Sequence, residues 1–254
     1  MRAGLYLALR LTLRQYGVLL SVSMLVPFFA ALFYLGGWAA TGGRADLDKF
    51  LYQLVGMVLL VVAQSASSNI LWNMYMVTSG GQLEYLAASP SRPLAVLLAF
   101  YLVELVVVGL GAAVIAAFII ATLKGPLFAL ATLLAVAVAA VTSLPVVGLT
   151  LALAYYLPSI RNPTPLSTIL GVAVVFFGGV LYPVTVFPEV LQVLSLLLPF
   201  AVWAEFARAV ALGLQAPLRQ FGLLMGYFAY FAMGLAVWGL LMRRLRRYGL
   251  YHAW

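Results

Sequence analysis

The sequence predicts an all-α, polytopic membrane protein: six transmembrane helices, an N-terminal amphipathic helix and a re-entrant helical pair before the last span. Three observations predict it. Of 254 residues, 66% are hydrophobic and only 8% charged, where a soluble domain carries about 25% charged residues. So few charges cannot cover a globule with polar surface, so lipid must be the solvent. Apolar runs of about 20 residues, the length that crosses roughly 30 Å of hydrocarbon, recur along the chain. The basic residues also gather at one set of span ends, as the positive-inside rule expects.

The elements follow in order. Residues 1–15 carry Arg2, Arg10 and Arg14 among leucines. Arg10 and Arg14 are four apart and share a helix face, which predicts a basic amphipathic helix lying at the membrane surface. No short apolar core with a small-residue cleavage site is present there, so the first span, Tyr16 to Trp38, is expected to act as an uncleaved insertion signal. A short polar turn with Arg44, Asp46, Asp48 and Lys49 leads to the second span, Phe50 to Val77. Ser65, Asn69 and Asn73 recur every four residues in it, beside Gln64 and Ser68. In lipid this polar face must turn toward protein or a wet cavity. It serves either as helix–helix glue or as the lining of a substrate path.

The segment 78–93 is polar. The third span runs from Leu94 to Leu123, with Glu104 inside it, and Lys124-Gly125-Pro126 makes a tight turn. The fourth span runs from Leu127 to Leu157. A proline-rich loop with Arg161 precedes the fifth, Leu166 to Tyr182. In 183–213, Pro188-Glu189 starts a helix, Pro199 interrupts it, and a second run holds Glu205 and Arg208. Each half rises only about 16–20 Å, too short to cross. Two short helices that dip in and return are therefore expected. The last span, Arg219 to Met242, ends in Arg243, Arg244, Arg246 and Arg247. With both termini in the cytoplasm, the inner segments hold nine basic residues against one acid, Glu84, and the outer segments five against four. A full crossing by 183–213 would put the arginine tail outside. A cell-membrane location with cytoplasmic N- and C-termini is expected.

Composition also narrows the chemistry. There is no cysteine and a single histidine, His252, so thiolate or histidine-rich metal sites are excluded and no metal is expected. The six acids are scattered, without the clustered nucleophile, base and orienter of a membrane hydrolase. A phosphate loop needs a glycine-rich turn followed by Lys and Ser/Thr, and neither Lys49 nor Lys124 follows one. The net charge of +8 sits at span ends, which suits membrane topology and gives no reason to expect nucleic acid. Glu104, inside a span, faces a cavity or pairs across helices, or else lies wet or protonated near the inner surface.

Two strings carry a resemblance. GGQLEYLAASPSRP, between the second and third spans, resembles the first cytoplasmic loop of ATP-binding-cassette permeases of the type-2 exporter (ABC-2) family, matching at Gly81, Leu83, Glu84, Leu86, Ser89 and Pro90. The later stretch from Phe177 resembles the family's second signature at Gly178, Gly179, Tyr182, Pro183, Pro188, Leu191, Pro199, Phe200, Glu205 and Arg208. Ala201-Val202 departs from it, where the family often has a polar residue.

The resemblance implies a single permease domain over 1–254, working with a second permease subunit, identical or homologous, and with a separate nucleotide-binding ATPase. ATP and Mg would be bound there and no cofactor by this chain. It implies that 78–93 is a coupling helix seated in the ATPase, with Glu84 meeting a basic residue. Arg10 and Arg14 would lie beside the ATPase. Pro183, Pro188, Glu189, Pro199, Glu205 and Arg208 would belong to an exit gate. Ser65, Asn69, Asn73 and Glu104 are candidates for a substrate path, for a hydrophobic or amphipathic cargo such as a drug, lipid or glycolipid. The alternative is a membrane-embedded enzyme or scaffold without an ATPase.

Overall fold

The computed structural model describes residues 16–40, 46–79, 93–159, 164–180, 182–214 and 218–248, with Tyr6, Leu9, Arg10 and Leu13. The described residues are helical, without strands. The helices are α1 (Tyr16–Ala40), α2 (Leu47–Ala66), α3 (Ser68–Ser79), α4 (Pro93–Glu104), α5 (Leu110–Lys124), α6 (Pro126–Thr142), α7 (Leu144–Leu153), α8 (Thr164–Phe177), α9 (Glu189–Leu197), α10 (Ala201–Leu212) and α11 (Leu218–Tyr248).

Among the described residues, four helices are long and apolar enough to cross a membrane: Leu47–Met76, Pro93–Lys124, Pro126–Tyr156 and Phe221–Arg244. These match the second, third, fourth and last predicted spans. At the first predicted span stands the 25-residue apolar helix α1, Tyr16–Ala40, and at the fifth the shorter apolar helix Thr164–Phe177. Together α9 and α10 have the apolar length of one span, but they meet at 87°. Helix α9 ends at Leu197, two residues before the predicted breaker Pro199.

Local chemistry sets the corners. Asp46 caps α2, its carboxylate accepting from the amides of Asp48 at 3.0 Å and Lys49 at 3.4 Å. Its own amide donates to the Tyr34 hydroxyl at 3.1 Å, which pins α1 to α2. Gly125 turns with φ +99°, a conformation open to glycine and strained for other residues, and Pro126 opens α6 in the first turn, where its missing N–H costs nothing. Lys124 pairs with Asp48 at 2.5 Å, so the starts of α2 and α6 and the end of α5 share one end of the bundle.

The Leu47–Met76 span is the hub, with 78% of its most apolar stretch buried against 22% for Phe221–Arg244. It touches α1, α5, α6, α7, α8 and α10. Because lipid is as apolar as leucine, such helices associate through close packing and hydrogen bonds. The tightest crossing lies between α7 and α11. A Cβ on Gly148 would sit 2.3 Å from the Phe231 Cα, and one on Gly234 would sit 2.1 Å from the Gly148 carbonyl oxygen. Backbone stands in both places and cannot swing aside. Gly148→Ala or Gly234→Ala should therefore push the helices apart and destabilise the fold by about 1–3 kcal/mol, read as a lower midpoint of thermal unfolding in detergent. Gly239→Ala, with open space at its Cβ position, should leave the midpoint in place.

Candidate functional site

The polar face predicted on the second span is real, and it meets the acid predicted inside the third. Asn69 donates its side-chain amide to the Glu104 carboxylate, while Ser65, one turn before Asn69, donates its hydroxyl to the Val61 carbonyl at 3.1 Å. Asn73 sits one turn further along the same face and is half-buried. Two of the four predicted path residues, Asn69 and Glu104, are thus brought together, with Ser65 and Asn73 one turn away on either side of Asn69.

Backbone irregularity surrounds this contact. Immediately after Glu104 the helix widens into a π turn, Leu105–Gly109. Such turns concentrate at functional sites. The hub span breaks at Ser67, whose backbone leaves the helical region at φ −116° and ψ −92°. The fourth span breaks at Ser143, ahead of Pro145. Measured by helix rise, the three breaks lie about 22–30 Å from the Asp48–Lys124 end, so they form one layer. Hydroxyls stitch it. Tyr101 Oη and Ser143 Oγ are 2.5 Å apart, and Thr150 donates to the Ala66 carbonyl at 3.0 Å. Ser67 donates to Ala63 at 2.7 Å.

Sequence reading found the stripe and Glu104 but missed this layer. Pro145 beside Ser143 was the available signal for the fourth span. Tyr101 carries no such mark, and the π turn has no composition of its own.

The second cluster lies at the bent pair. Arg208, on α10, is buried, with 1% of its surface exposed. Its Nη1 donates to the Tyr52 hydroxyl at 2.8 Å and to the Gly179 carbonyl, and its Nη2 donates to the Val180 carbonyl. The guanidinium carbon stands 3.8 Å from the centre of the Tyr52 ring, a cation–π contact. Gly56 leaves the room, since a Cβ there would meet the Val180 oxygen at 2.1 Å and Nη2 at 2.5 Å. Gly179, at φ +59°, presents its carbonyl from a left-handed turn. Glu205, one turn back, is near enough to act electrostatically on both Arg208 and Tyr52. Tyr52 and Gly56 escaped the sequence reading because they lie more than 150 positions away.

Of the other predicted gate residues, Pro199 is buried at the corner, Pro183 is half-buried, and Pro188 and Glu189 are exposed at the start of α9. The carbonyls left over at the end of α9 are taken by α11. Tyr227 donates to Leu196, and Tyr230 to Leu197 at 2.8 Å.

Two hollows open beside these clusters. One, about 560 Å³, is lined by Asp48, Lys49, Tyr52, Gln53, Lys124, Tyr182, Pro183, Leu212 and Leu214. At its rim desolvation pushes the Asp46 carboxyl up, but hydrogen bonds from Lys49 and the Asp48 amide, with the Lys49 charge, outweigh it and hold the carboxyl below its ordinary value. The other, about 420 Å³, is a groove between the hub and α8, with Gln64 and Ser68 facing Ser167 and Thr168. No group of three or more potential metal ligands occurs among the described residues. Gly81, Leu83, Glu84, Leu86, Ser89, Pro90 and Arg14 lie outside the described residues. Arg10 is helical and exposed, its guanidinium 6.0 Å from the Tyr6 ring centre.

Fold and sites together define a multi-pass helical membrane protein with a buried polar layer. A family model described as ABC-2 type transporter matches residues 6–212. The chain belongs to that family: it is an ABC-2 type transporter permease subunit, a membrane domain that is not itself catalytic. Permeases of this family work with an ABC ATPase. No curated protein and no solved structure matches the chain.

If the Arg208 contacts hold the bent pair to the hub, Arg208→Met should destabilise the protein by about 1–3 kcal/mol for each carbonyl stripped of its donor. Arg208→Lys should recover only part of this, because an ammonium cannot reproduce the planar fork. Thermal unfolding in detergent reads both. Equal midpoints for wild type and Arg208→Met would exclude a structural role for the contacts.

Proposed function

We propose that this permease is the membrane half of an ATP-driven exporter moving a hydrophobic or amphipathic cargo, such as a drug, lipid or glycolipid, out of the cytoplasm or inner leaflet of the cell membrane. Two permease subunits, identical or homologous, would work with two separate ATPase subunits. ATP binding closes the ATPase pair, and its higher affinity for one permease state shifts the population from inward-open to outward-open. The observation that carries this reading is the polar stripe Ser65–Asn69–Asn73 on the most buried span of a family member, meeting Glu104 of the neighbouring span.

In this reading both termini are cytoplasmic and six spans are present, α1 and α8 supplying the first and fifth. The segment 78–93, with Glu84, couples to the ATPase, and the bent pair is re-entrant. The contacts of the corner support re-entry. Leu196 and Leu197 meet α11 at Tyr227 and Tyr230, about 14–18 Å along that helix from Leu218, or roughly half of the 30 Å hydrocarbon thickness. A corner at mid-depth suits two half-helices that enter and return from one side. Burial of Arg208 supports the orientation too, since it removes one basic residue from the outer side of the charge count.

Two measurements test this reading. Glu84→Ala should lower transport by the reconstituted complex about tenfold, the scale of one lost charged contact, while the ATPase still co-purifies. Full transport by that variant would refute the coupling role. The cysteine-free chain also permits single-cysteine labelling in intact cells. With an impermeant maleimide, Leu214→Cys should react from outside and Ala253→Cys only after permeabilisation. Labelling of Ala253→Cys in intact cells would reverse the topology.

A further inference from the structure

The exporter reading leaves one feature of the polar layer without a use: the charge of Glu104. Its depth is set by the span. About 16 Å of helix separates it from Pro93 and about 30 Å from Lys124, so it lies within about 7 Å of the middle. Its hydrogen-bond partner there, the Asn69 amide, is a neutral donor. The other acids among the described residues are placed differently. Asp46 and Asp48 pair with Lys49 and Lys124, Glu189 is exposed at a helix start, and Glu205 neighbours Arg208. No lysine or arginine pairs with Glu104 among the described residues.

Helix–helix glue does not explain a carboxylate here. Glutamine would bond to Asn69 equally well, without a charge to desolvate. An acid inside a membrane protein marks a route for something that carries or exchanges charge. The surroundings fit a route. Asn73 and Asn69 form a polar track along α3, from near its Ser79 end up to Glu104. The π turn and the Ser67 break leave the backbone at this level free to rearrange. The missing complement is a positive charge, and the hydrophobic body is that of the cargo in the exporter reading.

We propose that Glu104 is the charge-selecting residue of the path and that the cargo is a cationic amphiphile, an apolar or aromatic body bearing one ammonium-like charge. This rests on the exporter reading for the transport itself, but the selection of charge can be measured apart from it. The probes are tetraphenylphosphonium and ethidium as cations and Nile red as a neutral compound. Binding is measured to the purified chain in detergent, and uptake into proteoliposomes holding its complex with the ABC ATPase.

Wild type should bind the cations, and Glu104→Gln should lower the ratio of cation to Nile red binding about tenfold or more, the lower end for a close charge pair. Glu104→Asp should restore most of it. Glutamine retains the hydrogen bond to Asn69, so a purely structural role would leave the ratio unmoved, and that result overturns the proposal. So does a wild type that binds Nile red but neither cation. If the ratio falls as expected but no ATPase complex forms, charge selection stands and the exporter reading falls. If the complex exports Nile red and leaves the cations behind, the exporter reading stands and charge selection falls.

Discussion

The whole structure depends on one constraint: hydrocarbon supplies no hydrogen bonds, so each polar group at membrane depth must find its partner within the protein. Where the helices are regular, the backbone satisfies itself. Where they break, side chains take over. Tyr101 meets Ser143 at the break in the fourth span, and Thr150 reaches the Ala66 carbonyl beside the break in the hub. Tyr227 and Tyr230 take the last carbonyls of α9. Arg208 takes two carbonyls from the turn after α8. At these described irregularities the donors come from neighbouring helices.

That constraint also explains what could be read from sequence. The long spans were legible because a helix in lipid must be apolar over a fixed length. The polar face of the second span was legible because four-residue spacing defines a side. The corner between α9 and α10 was legible because Pro199 cannot continue a helix. The partners were not. A one-dimensional pattern shows that Asn69 and Glu104 need satisfying, but not that they satisfy each other across 35 positions. Tyr52 and Gly56 looked like ordinary residues of an apolar run, yet one supplies the ring and the other the space for Arg208. At the Ser67 break a local signal went unused: Ser65, Ser67 and Ser68 each donate to the carbonyl four residues back, a pattern that bends helices. At the fifth span the helix Thr164–Phe177 stops five residues before the expected end at Tyr182. The loop resemblance around Glu84 lies outside the described residues and was read from motif alone.

The clusters differ in mechanical character. The end of the bundle near Asp48 is tied by a helix cap, by the Asp48–Lys124 pair and by the four contacts of one guanidinium. An arginine with its planar fork engaged on several sides gives up its geometry only at the cost of all those contacts together. The middle layer is held by the Asn69–Glu104 bond and by single hydroxyl bonds between helices whose own ladders are interrupted. Such bonds are individually modest in membranes, on the order of 0.6 kcal/mol. One residue thus carries several contacts near Arg208, where the layer containing Glu104 has one contact per pair, and displacement of the spans is expected to cost less at that layer.

A permease that alternates between two openings needs this inequality. Two-state motion of packed helices proceeds by rigid pieces moving about a few yielding points, because close-packed interiors do not deform continuously. Three neighbouring spans each divide at nearly one level, so their halves behave as separate rods joined through the layer that holds Ser65, Asn69 and Glu104. Force applied to the rods at the Ser79 and Pro93 ends would be felt first at this layer, before the Arg208 contacts give way. The residues that contact cargo in the proposed path thus lie where the structure yields, which links occupancy of the path to the geometry of the spans without a separate relay.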